Sequence, residues 1–217
     1  MAVRMLYLVA GARPNFMKLA PMVRALDRRR DELSYRIVHT GQHYDREMND
    51  VFFEELGIPD PDINLEVGSG TQAEQTAAIM VNYEKVLAKD KSQLCLVVGD
   101  VTSTMACSIV ARKMGIPVAH VEGGIRSNDW TMPEEINRVV TDSITNWFFT
   151  TSEVANANLR KSGARDEQIH FVGNTMIDTL LANLEKLRPP AFWAEAGLQP
   201  GHYFVMTLQI GRASCRE

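Results

Sequence analysis

No apolar run reaches the roughly eighteen residues that a membrane-spanning helix needs. Positive charge is not in excess either: 23 Lys and Arg stand against 27 Asp and Glu, a formal net charge of -4. A general nucleic-acid or membrane-surface binder usually shows a basic face, so those partners are set aside. Cysteine is scarce, with three in 217 residues, and no Cys/His cluster has zinc spacing. Cys95 lies in an apolar run and Cys107 in a helical pattern, which reads as reduced core thiols in a cytoplasmic protein. The apolar segment in the first ten residues is too short for a signal peptide, and Arg13-Pro14 follows it instead of a small-residue cleavage site. Internal repeats and low-complexity segments are absent.

What is present is a regular alternation. Hydrophobic residues make up 45% of the chain, enough for one full core and the opening of a second. Strand-like runs at Arg4 to Ala10, Tyr35 to His39, Leu94 to Val98, Pro117 to Val121, Trp147 to Thr150 and Gln168 to Val172 alternate with helical patterns. Those helices fall at Phe16 to Arg30, Glu47 to Leu56, Ala73 to Ala88, Thr102 to Met114, Glu134 to Thr145, Glu153 to Lys161 and Met176 to Leu187. Leu94 to Val98 is almost purely apolar, as a strand covered on both faces should be. Repeated strand–helix units with short connections predict an α/β fold with a doubly wound, mostly parallel, Rossmann-like sheet.

The double proline after Arg188 stops a helix and marks a boundary. Residues 1–188 are expected to form an N-terminal Rossmann-like domain, and residues 189–208 to open a truncated second one with a strand at Tyr203 to Leu208. Residues 209–217 break the pattern. Gln209-Ile210-Gly211-Arg212-Ala213 matches one reading frame of a common sequencing-adapter stem, so this tail, with Cys215, reads as a scar outside the fold.

In open parallel sheets, ligands bind beyond the carboxyl ends of the strands. Three loops there carry candidate chemistry. After the first strand, Gly11-Ala12-Arg13-Pro14-Asn15 enters a helix whose N-terminal amides favour an anion, with Arg13 and Lys18 adding charge. The competing reading is an ordinary turn with two solvated cations. The pattern is neither a dinucleotide fingerprint nor a P-loop. After Val98, Asp100 is either a helix cap or a carboxylate sharing a sheet edge with Glu122. The stretch from His120 to Arg138 holds two glycines, two arginines, one aspartate and three glutamates. Glu122 is the hardest of these to explain structurally, since it precedes Gly123-Gly124 where no cap is needed. Arg126 is a partner either for Glu122 or for a phosphate. Glu134 and Glu135 suit a helix start behind Pro133, and Asn137 and Arg138 suit a helix face. His120 reads as a satisfied core residue, and Asn174 as a turn residue or a further ligand contact. His39 and His43 lack the further ligands that a metal site needs.

Taken together, these blocks resemble the non-hydrolysing UDP-N-acetylglucosamine 2-epimerases. The matching segments are 11–21, 41–44, 98–104, 120–126, 132–138 and 172–178, in order along residues 4–208. The resemblance implies the N-terminal half of a glycosyltransferase-B type architecture, with the active site between two Rossmann-like domains. It implies reversible inversion at C2 of a UDP-sugar through elimination and re-addition of UDP, with no cofactor and no metal. Asp100, Glu122 and Glu134 would be the acid/base carboxylates. Arg13, Lys18, Arg126 and Asn174 would contact substrate, and Gln42 and His43 would lie in an effector loop. A homodimeric parent protein serving cell-envelope polysaccharide synthesis is implied as well. Gln209 replaces the family's histidine, and this chain alone is expected to be inactive. The alternatives are a hydrolysing relative, an epimerase for a more modified UDP-sugar, a glycosyltransferase of the same architecture, or a non-catalytic nucleotide-sugar sensor.

Overall fold

The computed structural model describes residues 4–41 and 53–206. Gln42, His43, the first six residues of the helix expected at Glu47 to Leu56, and the 209–217 tail lie outside the described residues; positions 53–56 are helical. Two compact units are present, residues 1–182 and 183–217.

Among the described residues of the first unit, seven strands make one sheet: β1 (Arg4–Ala10), β2 (Leu33–His39), β3 (Ile63–Asn64), β4 (Leu94–Val98), β5 (Val118–Val121), β6 (Trp147–Thr150) and β7 (Ile169–Phe171). Their order is β3-β2-β1-β4-β5-β6-β7, with every pairing parallel. The winding therefore reverses between β1 and β4, where two neighbouring strands send their chains to opposite faces. The helices are α1 (Arg13–Asp27), α2 (Gln72–Lys89), α3 (Thr102–Lys113), α4 (Pro133–Ile144), α5 (Glu153–Lys161) and α6 (Thr175–Asn183).

Side chains alternate across a strand, and here both faces are apolar. From β1, Tyr7 and Val9 join Cys95, Val97, Ile79, Tyr83 and Cys107 in one core layer. Leu6, Leu8 and Ala10 join Phe16, Leu19, Val23, Ile37, Leu96 and Val98 in the other. Burial pushes the Cys95 thiol up to about 12, which keeps it protonated and inert.

Local chemistry explains the helix ends. Thr71 and Glu74 form a reciprocal capping box at the start of α2, with bonds of 3.3 and 2.9 Å. Pro14 lets α1 begin at Arg13, earlier than the apolar pattern shows. Pro21 lies inside α1 and has no N–H to give the Met17 carbonyl one turn back. Thr179 of α6 supplies the missing donor, its hydroxyl lying 2.6 Å from that oxygen.

Three expectations change. β3 is an addition, a two-residue edge strand too short to carry a periodic signal. Helix α6 ends at Asn183, and a 3-10 turn at Leu184–Lys186 follows it, so the expected helix through Leu187 is broken. The described part of the strand expected at Tyr203 to Leu208 is not a strand. Phe204, Val205 and Met206 are exposed there, and without a paired neighbour an apolar run forms no ladder. Within the second unit a short helix, α7 (Ala191–Glu195), follows the double proline, and Trp193 meets Tyr203 at a ring separation of 5.5 Å.

Candidate active site

Three loops leave neighbouring strands at the winding reversal: 11–12 after β1, 99–101 after β4 and 122–132 after β5. Asn15 binds the first two together. Its side-chain oxygen accepts the amides of Gly11 and Ala12 at 3.2 and 3.0 Å, and its nitrogen donates to the Val98 carbonyl at 3.1 Å. The approach is close enough that a Cβ on Gly11 would stand 2.1 Å from the Ser103 hydroxyl oxygen.

Over Gly99 sits an ion pair. Lys18 Nζ lies 2.5 Å from Glu122 Oε2, with only 13% and 11% of the two side chains exposed. Gly99 has a φ of +69°, and a Cβ there would come within 3.2 Å of Lys18 Nζ and 3.7 Å of Glu122 Oε2. A glycine thus lets the β4 turn pass beneath the pair. Glu122 itself has a φ of +69°. For a residue with a Cβ, that left-handed conformation costs about 1–2 kcal/mol, so the surroundings must hold it.

Asp100 is not a helix cap. Val101 occupies the N-cap position of α3, and Asp100 instead receives Arg138 through Nε at 3.0 Å and a terminal guanidinium nitrogen at 2.5 Å. Asn137 donates to the Asp100 carbonyl at 2.8 Å. Arg138 also reaches Glu135 at 2.9 Å. Glu135 is buried and accepts three further donors: the amides of Ser127 and Asn128 and the Ser127 hydroxyl, at 2.9, 3.1 and 3.0 Å. Burial alone would raise its carboxyl, but these donors and Arg138 outweigh that and bring it down to about 2.

A second buried carboxylate anchors the β5 loop from below. Asp142 accepts from the Gly124 amide at 3.0 Å and from Arg126 at 2.6 Å, and it faces His120 Nδ1 at 2.7 Å. Burial raises this carboxyl, and the hydrogen bond and charge of His120, with Arg126, more than reverse the effect. His120 Nε2 meets the Gly99 carbonyl at 2.8 Å. His39 is used locally: its Nδ1 accepts the Gly41 amide at 3.0 Å and its ring stacks on Phe16.

The structure therefore joins Lys18 with Glu122 and Asp100 with Arg138. Glu134 lines a hollow of about 250 Å³ with Ala12, Gln72, Thr102 and Asn137, at the mouth of the same loops. Arg13 is exposed at the start of α1. Arg126 does not pair with Glu122, because Lys18 holds that place and Asp142 holds Arg126. Asn174 is exposed, and its side-chain oxygen takes the Met176 amide at the start of α6, 2.9 Å away. A larger hollow of about 620 Å³ lies between α4 and α5. Thr145 and Gln168 line it, and both precede strands, so it extends away from the carboxyl edge. Sequence reasoning missed Asp142 and took Glu135 and Arg138 for surface groups. Their spacing of three and four residues, which places all three on one face of α4, was the available signal.

A protein-family model described as UDP-N-acetylglucosamine 2-epimerase matches residues 24–209. A UDP-N-acetylglucosamine 2-epimerase of Methanocaldococcus jannaschii is 43% identical over 206 residues, covering 94% of this chain and 56% of that protein. A UDP-2,3-diacetamido-2,3-dideoxy-D-glucuronate 2-epimerase of Pseudomonas aeruginosa is 40% identical, covering 84% of this chain and 52% of that protein. The crystal structure of the M. jannaschii enzyme in complex with UDP-GlcNAc and UDP superposes with a TM-score of 0.81 at 43% identity, covering 88% of this chain and 52% of that one. The chain spans about half the length of the curated relatives it matches.

Proposed function

Since the chain belongs to the UDP-N-acetylglucosamine 2-epimerase family, we propose that it supplies the acid/base half of an enzyme that inverts C2 of UDP-N-acetylglucosamine. The observation that carries this reading is the Lys18–Glu122 pair at the winding reversal, with Asp100 and Glu134 on the adjoining loops. A carboxylate takes the C2 proton, the C1–O bond to UDP breaks, and the electron pair of the C–H bond becomes the C1–C2 double bond of a 2-acetamidoglucal. Protonation of C2 from the opposite face and return of a UDP oxygen to C1 complete the inversion. Carboxylates on two sides of one carbon suit this route, because one removes the proton and another delivers it.

Lys18 has a part in both halves. Its ion pair neutralises Glu122. A diphosphate at the N-terminus of α1 would draw Lys18 and the exposed Arg13 toward its own charge, stabilise the departing UDP and leave Glu122 unpaired as a base. Arg138 holds the Asp100 carboxylate on the adjoining turn. The proposal includes the expectation that this 217-residue chain alone does not turn over, because the grip on uridine belongs to the remaining half of the architecture.

The test uses the polypeptide carried to the length of its relatives, with UDP-N-acetylglucosamine in D₂O. Deuterium at C2, appearance of the manno epimer and retention of UDP are expected, and Asp100→Asn or Glu122→Gln should abolish the exchange and the epimer. Free sugar plus UDP would replace this reading with a hydrolysing one, and no exchange would remove it. A second reading is favoured by the 40% identity to the diacetamido-glucuronate enzyme. Exchange with that UDP-sugar, and none with UDP-N-acetylglucosamine, would select it.

A further inference from the structure

The candidate carboxylates Asp100 and Glu122 stand on turns that leave neighbouring strands, β4 and β5. Their relative placement is a matter of fractions of an ångström if they are to serve opposite faces of one carbon. Glu122 also holds a left-handed backbone that it would not choose alone.

One buried pair touches both turns. Asp142 and His120 have side chains 3% and 1% exposed and meet at 2.7 Å. Asp142 takes the Gly124 amide, two residues after Glu122, while His120 lies two residues before it. The strained residue is therefore held on both sides by a single carboxylate. The far nitrogen of His120 reaches the carbonyl of Gly99, the residue before Asp100. A carbonyl oxygen only accepts, so His120 Nε2 carries a hydrogen. The other oxygen of Asp142 is occupied by Gly124 and Arg126, so a second proton lies on the line between Asp142 Oδ1 and His120 Nδ1. Glu122 and Asp100 are thereby linked through a chain of filled hydrogen bonds.

We propose that the His120–Asp142 pair is a positioning element for the epimerisation, clamping the Glu122 turn from both sides and registering it, through Gly99, against the turn that carries Asp100. The proposal rests on the function proposed above. Neither residue touches substrate; both act through the carboxylates they place.

The test compares the parent, carried to the length of its relatives, with Asp142→Asn, His120→Asn and His120→Gln. Asn at 120 puts an amide where Nδ1 stood and keeps the Asp142 bond. Gln puts one where Nε2 stood and keeps the Gly99 bond. Asp142→Asn should lower kcat roughly ten- to hundred-fold with little change in KM, the mark of a misplaced reacting group and not of lost binding. The two His120 variants should each lose turnover, because each breaks one arm of the clamp. In proton NMR of the 217-residue chain, a low-field histidine N–H resonance should be present and should vanish in Asp142→Asn. If Asp142→Asn does not fold, the His120 pair decides the matter. Folded variants with parental kcat, or a loss confined to KM, would overturn the clamp while leaving the epimerase reading intact. A parent with no C2 exchange would overturn that reading and this role with it.

Discussion

Replacing Glu135 by Gln should remove one buried carboxylate's share of the chain's loss of stability in acid. Glu135 is 1% exposed and accepts four donors, which together take its carboxyl from 4.5 down to about 2. The folded value is the depressed one, so the stabilisation is fully present above the unfolded value near 4.5 and disappears as pH falls through about 2. A shift of about 2.5 units corresponds to about 3 kcal/mol at neutral pH, and more than half of it should be gone by about pH 3. Gln removes the charge and turns an amide nitrogen toward groups that are themselves donors. The loss does not reach the full cost of an abandoned buried ion pair, because Arg138 keeps Asp100. Urea unfolding of the parent and of Glu135→Gln, followed by far-UV circular dichroism at pH 7 and pH 3, measures both numbers. The expected difference is about 3 kcal/mol at pH 7 and about 1 kcal/mol at pH 3. An equal difference at the two pH values, or one below about 0.5 kcal/mol at pH 7, would refute the account of Glu135 as an ionised anchor.

Gly99→Ala places a Cβ on a left-handed residue 3.2 Å from Lys18 Nζ. It should cost about 1–2 kcal/mol in thermal or urea unfolding and weaken UDP binding by calorimetry in the extended polypeptide, and unchanged stability would contradict the strained turn. Thr179→Val keeps the shape of α6 but leaves the Met17 carbonyl without the donor that Pro21 denies it. A loss of about 1–2 kcal/mol in urea unfolding is expected, and no loss would show that the 2.6 Å bond contributes nothing net.

The sheet was readable because buried parallel strands announce themselves. Leu94–Val98 and Trp147–Thr150 are short, apolar and flanked by turns, and their expected limits coincide with the observed ones. β3 was unreadable for the opposite reason. Two residues carry no period, and this strand exists only because β2 offers an edge at Val38 and His39. The run from Tyr203 shows the same dependence from the other side. Its residues have strand character, but strand character forms a strand only when a neighbour supplies the ladder.

At the site, position was legible and partnership was not. Strand ends are local features, so Asp100 and Glu122 could be singled out from their own neighbourhoods. Their partners lie 38 and 104 positions away, at distances where only the assembled sheet decides who meets whom. That difference explains why the sequence offers Arg126 its near neighbour Glu122 or a phosphate as partner, while the fold gives Glu122 to Lys18 and Arg126 to Asp142. It also bears on the chemistry. The carboxylates Asp100 and Glu122 are each paired with a cation, so neither stands as a free base in this arrangement. On the proposed function, the ligand must break at least one of those pairs before a proton can move. On that reading the Lys18 pair is the one that an anion would break, because Lys18 sits in the helix whose N-terminus would face the diphosphate, whereas Arg138 is held by a second carboxylate, Glu135, at its other end. Substrate binding and activation of Glu122 would then be one event, and a sugar lacking the diphosphate should exchange no C2 proton however well its ring fits.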